Sequence, residues 1–212
     1  MADIVQGSDA WKAMRRGKVT GSRCHDVTST DPNSKPKAAY TKLLDKLALE
    51  LVTDTEEEGF TNEAMRNGTM REPIARTLFA MEYGFDIRET AFVDHPTIAL
   101  CGYSPDGLID SENASIEIKC PQLNTHMGYI ESGKIPNNYM AQIVHGFACI
   151  PNLTHCYFIS YSPEAPEHLQ LYVKKVERNA KIVAAHEERV QLFVDRLYER
   201  VAEMKRKFDA GI

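Results

Sequence analysis

Three charged side chains stand in the segment CGYSPDGLIDSENASIEIKCP, residues 101–121, where a strand would otherwise bury apolar groups. They are Asp106, Glu117 and Lys119. Two carboxylates can hold Mg²⁺ through hard oxygen ligands, and such an ion polarises a phosphate and lowers the pKa of its bound water. A neighbouring lysine can orient that water or help to deprotonate it. These residue types therefore suit the hydrolysis of a phosphodiester bond.

The hairpin pattern predicts that the three side chains share one face. Alternate residues of a strand point to the same side, so Glu117 and Lys119 project together. A turn centred on Glu112-Asn113 would place Asp106 opposite Lys119 and diagonal to Glu117, at a backbone separation of about 7–8 Å that long side chains can bridge. A register shift of one residue would send the set to opposite faces, so the prediction depends on where the chain turns.

A simpler interpretation is an exposed hairpin in which Lys119 merely pairs with one of the acids. Such surface pairs are common and contribute only about 0–1 kcal/mol. Two features favour a metal site instead. Pro105 and Gly107 flank Asp106, so the backbone is specified there and a ligand could approach closely. The apolar residues that alternate with Glu117 indicate a strand with one buried face, on which charges need a partner.

The rest of the chain predicts helices around a central run of strands. Apolar spacings of three and four residues predict helices, and alternation predicts strands. The predicted helices lie at 10–17 after a capping pair at Ser8-Asp9, at 38–52, at 62–84, after Asn124, at 137–150 and at 179–208. The predicted strands lie at 86–94, 98–109, 115–120, 154–162 and 167–176. This order indicates an α/β or α+β fold, with antiparallel central strands and helices on the faces of the sheet.

Two of these helices carry specific expectations. Gly68 and Pro73 interrupt the pattern at 62–84, and proline inside a helix removes a hydrogen bond and breaks or kinks it, which would leave Glu72 near a helix junction. The long terminal helix should pack one stripe on the body of the protein. The stripe consists of Ile182, His186, Val190, Phe193, Leu197, Val201, Met204 and Phe208.

Composition limits the class of protein. The chain has 212 residues, of which 43% are hydrophobic and 26% charged, as expected for a single domain over residues 1–212. We expect neither a membrane span nor a secretory signal, no membrane partner, and a cytoplasmic location. The formal charge of −5 argues against a nonspecific polycation but allows a nucleic-acid enzyme with a basic channel. Five scattered cysteines without a C-x-x-C pair predict neither disulfides nor structural zinc, and we expect the cysteines to be buried and the histidines structural.

Four motifs resemble the PD-(D/E)-x-K nuclease superfamily, and within it the bacteriophage lambda exonuclease and YqaJ-type viral recombinase family. The motifs are AWKAMRRGKVTGS, REPIARTLF, SPDGLID with IEIKCP, and YMAQI, and they stand in the family's order over about residues 10–160. The resemblance implies a restriction-endonuclease-like core with a central mixed β-sheet flanked by helices.

The resemblance also assigns roles to individual residues. Asp106 and Glu117 would bind the metal, Mg²⁺, in two copies and replaceable by Mn²⁺, with the backbone carbonyl of Ile118 as a further ligand, while Lys119 would activate water. Glu72 would be the upstream acid. The remaining implied roles are a scissile-region and phosphate contact for Gln142, a pocket for the terminal 5′-phosphate for Arg15, Ser22 and Ser104, and a wedge at the duplex end for Met65. His145 and Gly146 depart from the family because many relatives carry an aromatic residue one turn after the glutamine.

The activity implied is digestion of linear double-stranded DNA from 5′ to 3′, which leaves 3′ single-stranded tails for phage-type recombination. A homotrimeric ring, a single-strand annealing partner, and a phage or prophage origin within a bacterial host are implied as well. An endonuclease of restriction or resolvase type on the same core is the alternative enzyme. A non-catalytic DNA-binding or acidic metal-binding module is the alternative from another class.

Overall fold

The structure is a computed structural model that describes residues 4–29, 35–55 and 63–210. Within those residues the helices are α1 (Asp9–Arg15), α2 (Cys24–Thr28), α3 (Ala38–Thr53), α4 (Glu63–Tyr83), α5 (Leu123–Ser132), α6 (Asn137–Cys149) and α7 (Ala180–Asp209). The strands are β1 (Val19–Thr20), β2 (Val93–Asp94), β3 (Cys101–Tyr103), β4 (Gly107–Ile109), β5 (Ala114–Lys119), β6 (His155–Tyr161) and β7 (Leu171–Glu177). The predicted mixed α/β class is confirmed.

The strands form two hydrogen-bonded sheets. The larger sheet has the order β4-β5-β6-β7, and the smaller has the order β1-β3-β2. The predicted antiparallel central run is confirmed, because β2 pairs with β3 and β4 with β5 in antiparallel fashion. The next pair, β5 and β6, is parallel. The reason is the connection between them: α5 and α6 lie between the two strands, and a helical crossover returns the chain in the same direction. The larger sheet is therefore mixed.

The predicted strand at 98–109 is two strands that belong to different sheets. β3 pairs with β1 and β2, whereas β4 pairs with β5. The break falls at Ser104, Pro105 and Asp106, where proline cannot donate a ladder hydrogen bond. The chain passes from one sheet to the other at the position of the first acid of the motif. The predicted strand at 86–94 is similarly reduced to β2 and an isolated bridge between Arg88 and Leu108.

The predicted interruption of the helix at Pro73 is wrong. Helix α4 runs without a break from Glu63 to Tyr83 with Pro73 inside it, so Glu72 lies within a helix and not at a junction. Ala75 and Phe79, one and two turns further on, are fully buried against the isoleucines of β5. Burial of this face holds the helix through the proline, because tertiary packing commonly outweighs local propensity.

Helix α7 closes the body as predicted over most of its length. His186, Val190, Phe193 and Leu197 are buried, and the ring of Phe193 packs edge-on against Tyr40 of α3 with centroids 4.9 Å apart. The ends of the stripe remain in solvent, since Ile182 and Phe208 are 54% and 53% exposed. No helix among the described residues combines the length and the apolar character needed to cross a membrane.

Candidate active site

Asp106 lies opposite Glu117 and not opposite Lys119. Gly107 pairs with Ile116, so the same register places Asp106 across from Glu117. The predicted turn centre was one residue too late, because residues 110–112 form a 3₁₀ turn and Asn113 adopts a left-handed conformation with φ of 50°. The correction shifts the pairing by two residues, an even number, so all three charged side chains stay on one face as predicted.

Glu117 is a buried carboxylate. Its exposed fraction is 0%, which excludes the exposed-hairpin interpretation. The hydroxyl of Tyr103 donates a hydrogen bond of 3.0 Å to Oε2, and Nζ of Lys119 lies 2.5 Å from Oε1. Burial raises the pKa of Glu117 to about 7; Lys119 acts in the opposite direction, and Asp106 adds to the rise. Glu117 is therefore only partly ionised near neutral pH, and Lys119 is the main group that favours its ionised form.

Lys119 is held as an ammonium ion. Burial lowers the pKa of Lys119, but the charges of Glu117 and Asp106 outweigh burial, so its pKa is raised overall. Its Nζ also lies 5.2 Å from the centre of the Tyr139 ring, a cation–π arrangement. A protonated lysine in this position can donate hydrogen bonds to water or phosphate.

The residues predicted to hold a metal fit a hard divalent cation. Oε1 of Glu117 is buried, and among the described residues no donor makes a hydrogen bond of good geometry to it, although the Lys119 ammonium is close. Oδ2 of Asp106 accepts a 2.6 Å hydrogen bond from the amide of Ile118, which ties the two strands together beside Glu117. Carboxylate and carbonyl oxygens are the ligands that Mg²⁺ prefers.

Glu72 reaches this group although it lies within a helix. It is half-buried, and burial followed by the charge of Asp106 raises its pKa to about 7, with Lys119 and Arg76 opposing the rise. Nε of Arg76, on the same helix, donates a 2.9 Å hydrogen bond to the backbone carbonyl of Asp106. The structure thus brings the predicted upstream acid close enough to Asp106 and Lys119 for their charges to act on it.

A polar cleft of about 520 Å³ lies at the end of β5. It begins at Cys120, the residue after Lys119, and its wall includes the ion pair between Arg71 and Glu164. A larger groove of about 1050 Å³ lies between α2, α6 and α7 and contains none of the acids or Lys119. The acids and Lys119 do not line the smaller cleft either, but Cys120 places that cleft one residue from Lys119.

Three of the four residues predicted to bind a phosphate, Arg15, Ser22 and Ser104, form one hydrogen-bonded cluster, which does not include Gln142. The guanidinium of Arg15 donates to Ser104 Oγ at 3.2 Å and to Ser22 Oγ at 3.1 Å. Sequence reasoning missed Trp11, whose Nε1 donates to Ser104 Oγ at 3.0 Å and whose ring lies 4.2 Å from Arg15 Cζ. Sequence reasoning also missed Thr20, whose Oγ1 accepts a hydrogen bond from Arg15 Nη2 at 3.4 Å. The spacing of four residues between Trp11 and Arg15 on one helix was the available signal.

Tyr103 is the most informative residue that sequence reasoning did not select. Its ring is fully buried between two glycines: a Cβ on Gly21 would lie 3.0 Å from Tyr103 Cδ2, and a Cβ on Gly146 would lie 2.8 Å from Cε1. Gln142 borders the same space, with Cγ 3.1 Å from the Cβ position of Gly21. The glycine at 146, which leaves room for the Tyr103 ring, was the available signal.

Met65 remains a prediction for the duplex end. It belongs to the first turn of α4, but its side chain lies outside the described residues.

Comparisons with known proteins identify a family and similar solved structures. The chain matches the model of the YqaJ-like viral recombinase domain over residues 10–155. It is similar to the crystal structure of an alkaline exonuclease, LHK-Exo, from Laribacter hongkongensis, with 35% identity, a TM-score of 0.87, and coverage of 97% of this chain and 100% of that one. LHK-Exo in complex with dAMP gives 35% identity, the same coverage and a TM-score of 0.88.

A phage-related exonuclease from Haemophilus somnus 129PT shares the fold at 15% identity, with a TM-score of 0.71 and coverage of 88% of this chain and 96% of that one. A comparison with curated proteins gave no match. The family match spans more than half of the 212 residues, and it includes the paired acids, the lysine and the arginine cluster. The chain therefore belongs to the YqaJ-like viral recombinase family.

Proposed function

We propose that the chain is a Mg²⁺-dependent exonuclease that digests linear double-stranded DNA from 5′ to 3′ and leaves 3′ single-stranded tails for recombination. The observation that carries the proposal is the set formed by Asp106, Glu117 and Lys119, which share one face of the hairpin. Family membership and the similarity to LHK-Exo support the same class of activity.

The chain's own residues account for most of the chemistry. Asp106, Glu117 and the Ile118 carbonyl would hold Mg²⁺, which when bound polarises the phosphate and lowers the pKa of its water. The Lys119 ammonium orients the attacking water and offsets negative charge on the phosphate. Glu72, with its pKa raised to about 7, is suited to accept a proton near neutral pH.

The Arg15 cluster supports recognition of a terminal 5′-phosphate. Its guanidinium is planar and always charged, and three hydroxyl groups, from Thr20, Ser22 and Ser104, surround it. Arginine and hydroxyl donors together suit a phosphate dianion. Ser104 is two residues from Asp106, so a phosphate bound here would hold the DNA end at a fixed distance from the acids. The dAMP bound by LHK-Exo is a nucleotide with this kind of phosphate.

Assembly and partners extend the proposal. A homotrimeric ring would retain DNA by enclosure, which suits a chain of formal charge −5 because lysine and arginine need only line the channel. A single-strand annealing protein would bind the 3′ tail. The chain would be encoded by a phage or prophage and would act in the bacterial cytoplasm.

The first prediction tests the reaction and its direction. In Mg²⁺, linear duplex labelled at a 5′ end should release the label early as mononucleotide, whereas a 3′ label should persist until late, and EDTA should stop both. Asp106→Ala should lower the rate by more than the roughly 10–100-fold typical of losing an outer partner of a metal ligand. Asp110→Ala removes an exposed hairpin acid that pairs with Arg88, and it should retain the wild-type rate.

Two results would each favour one of the alternative functions. Rapid cleavage of covalently closed circular duplex would favour the endonuclease alternative. Binding of DNA without any strand cleavage, at every Mg²⁺ concentration, would favour the non-catalytic module.

The second prediction concerns the DNA end. Wild-type protein should digest a 5′-phosphorylated end faster than a 5′-hydroxyl end, because hydrogen bonds to an ionised phosphate are roughly twice as strong as neutral ones. Arg15→Ala should abolish the difference by slowing only the phosphorylated substrate. Arg16→Ala is the matched control, since Arg16 pairs with exposed Asp54, and it should keep the preference. Equal wild-type rates on the two ends would show that the Arg15 cluster does not recognise the 5′-phosphate.

The third prediction concerns Tyr103, whose hydroxyl positions Glu117. Tyr103→Phe should lower the rate by roughly tenfold or more, because a hydrogen bond to a charged group contributes about 1.5–3 kcal/mol. The hydroxyl lowers the pKa of Glu117, so its loss should move the acid limb of the pH–rate profile to higher pH and raise the Mg²⁺ concentration at half-maximal rate. Tyr157→Phe removes a hydroxyl from the opposite face of the sheet and should change neither quantity. A general loss of rate with an unshifted pH profile would make Tyr103 a packing residue only.

A further inference from the structure

Five potential metal ligands, distant in sequence, meet in the core beside the smaller sheet. They are Cys24 of α2, Cys101 of β3, His145 and Cys149 of α6, and His186 of α7. Ligand atoms of Cys101, His145 and Cys149 all lie within 4.8 Å of one another, and those of Cys24, His145 and His186 form a second such set. All five residues are buried. The set is separate from the carboxylates of the proposed active site, none of which belongs to it.

The spacing suits tetrahedral coordination by a soft metal. Zinc binds thiolate at about 2.3 Å and imidazole nitrogen at about 2.0–2.1 Å, so a sulfur and a nitrogen on one tetrahedral zinc lie roughly 3.5 Å apart. Sγ of Cys101 lies 3.7 Å from Nε2 of His145.

His145 already has the outer partner that a zinc-bound histidine needs. A histidine that ligates through one nitrogen normally donates its other N–H to an acceptor that fixes the ring. Nδ1 of His145 lies 2.9 Å from Nε2 of His186. Burial, followed by the charge of His145, lowers the pKa of His186 to about 3, so His186 is neutral and can accept that proton. Nε2 of His145 lies 3.1 Å from the Gly102 carbonyl, a contact that a metal ion would replace.

A thiolate within an apolar core is costly unless a positive charge accompanies it. Soft thiolate and imidazole ligands select zinc over Mg²⁺.

We propose that Cys101, Cys149 and His145 bind a structural zinc ion, which would join β3 to α6. Cys24 belongs to the neighbouring set through His145, and it would become the fourth ligand only if its thiol moves toward the other two cysteines. The ion would be structural because the cluster is buried and has no position open to substrate. This inference does not depend on the proposed nuclease activity.

Metal analysis of the intact protein tests the proposal. Protein expressed with added zinc and purified under reducing conditions should carry about one zinc per chain by mass spectrometry of the metal content. Cys101→Ser and Cys149→Ser should each lose most of it. Cys156→Ser, which changes a buried cysteine in the other part of the core, should keep it, as should Asp106→Ala.

Two further measurements on wild-type protein cover the case in which a cysteine variant fails to fold. Cobalt added to chelator-treated protein should give the visible absorption of a tetrahedral thiolate-bound ion, and a zinc chelator should lower the thermal unfolding midpoint by several degrees. Zinc well below one equivalent, together with no thiolate–cobalt absorption and an unchanged unfolding midpoint, would overturn the proposal and leave five satisfied core side chains.

Discussion

The structure depends on the burial of one carboxylate, that of Glu117. Removing an ion from water costs several kcal/mol unless partners compensate, and two of them are visible: the Tyr103 hydroxyl on one oxygen and the Lys119 ammonium near the other. Oε1 still lacks a well-formed hydrogen bond among the described residues. A site that is partly compensated in this way has a capacity for one more positive charge, which is what a cation-dependent hydrolase requires.

The surrounding fold can be understood as the support for that carboxylate. Six consecutive residues, 101–106, pass from the smaller sheet to the larger one. In this segment Cys101 contacts His145, and the hydroxyl of Tyr103 donates a hydrogen bond to Glu117. Further along, Ser104 accepts a hydrogen bond from Arg15, and Asp106 accepts one from the amide of Ile118. Displacement of this segment would therefore alter the buried acid, the arginine cluster and the hairpin register together. The glycine at 146 permits this arrangement, since any larger residue would collide with the Tyr103 ring.

Sequence patterns predicted what depends on local chemistry. Alternation on β5 placed Glu117 and Lys119 on one face, helical spacing located α3, α6 and α7, and the motif residues Arg15, Ser22 and Ser104 do converge. The turn centre was wrong because the 3₁₀ turn and the left-handed Asn113 are not encoded by a strong turn signature. The predicted helix break at Pro73 was wrong because burial of one face of α4 outweighs the helix-breaking tendency of proline. Tyr103 and the cysteine–histidine cluster could not be foreseen, since their partners are 14 or more residues away and only the packing of separate elements brings them together.

The central claim is that Glu117 and Glu72 hold protons that a divalent ion must displace, and calorimetry of Mg²⁺ binding without DNA tests it most directly. Both pKa values are raised from 4.5 to about 7, so near pH 6 the metal-free site is largely protonated, and well above pH 7 it is not. Titrations in buffers of different ionisation enthalpy should therefore show proton release on binding at about pH 6 that disappears by about pH 8.5, with affinity rising over the same interval. Binding with no proton release and equal affinity at both pH values would contradict the account.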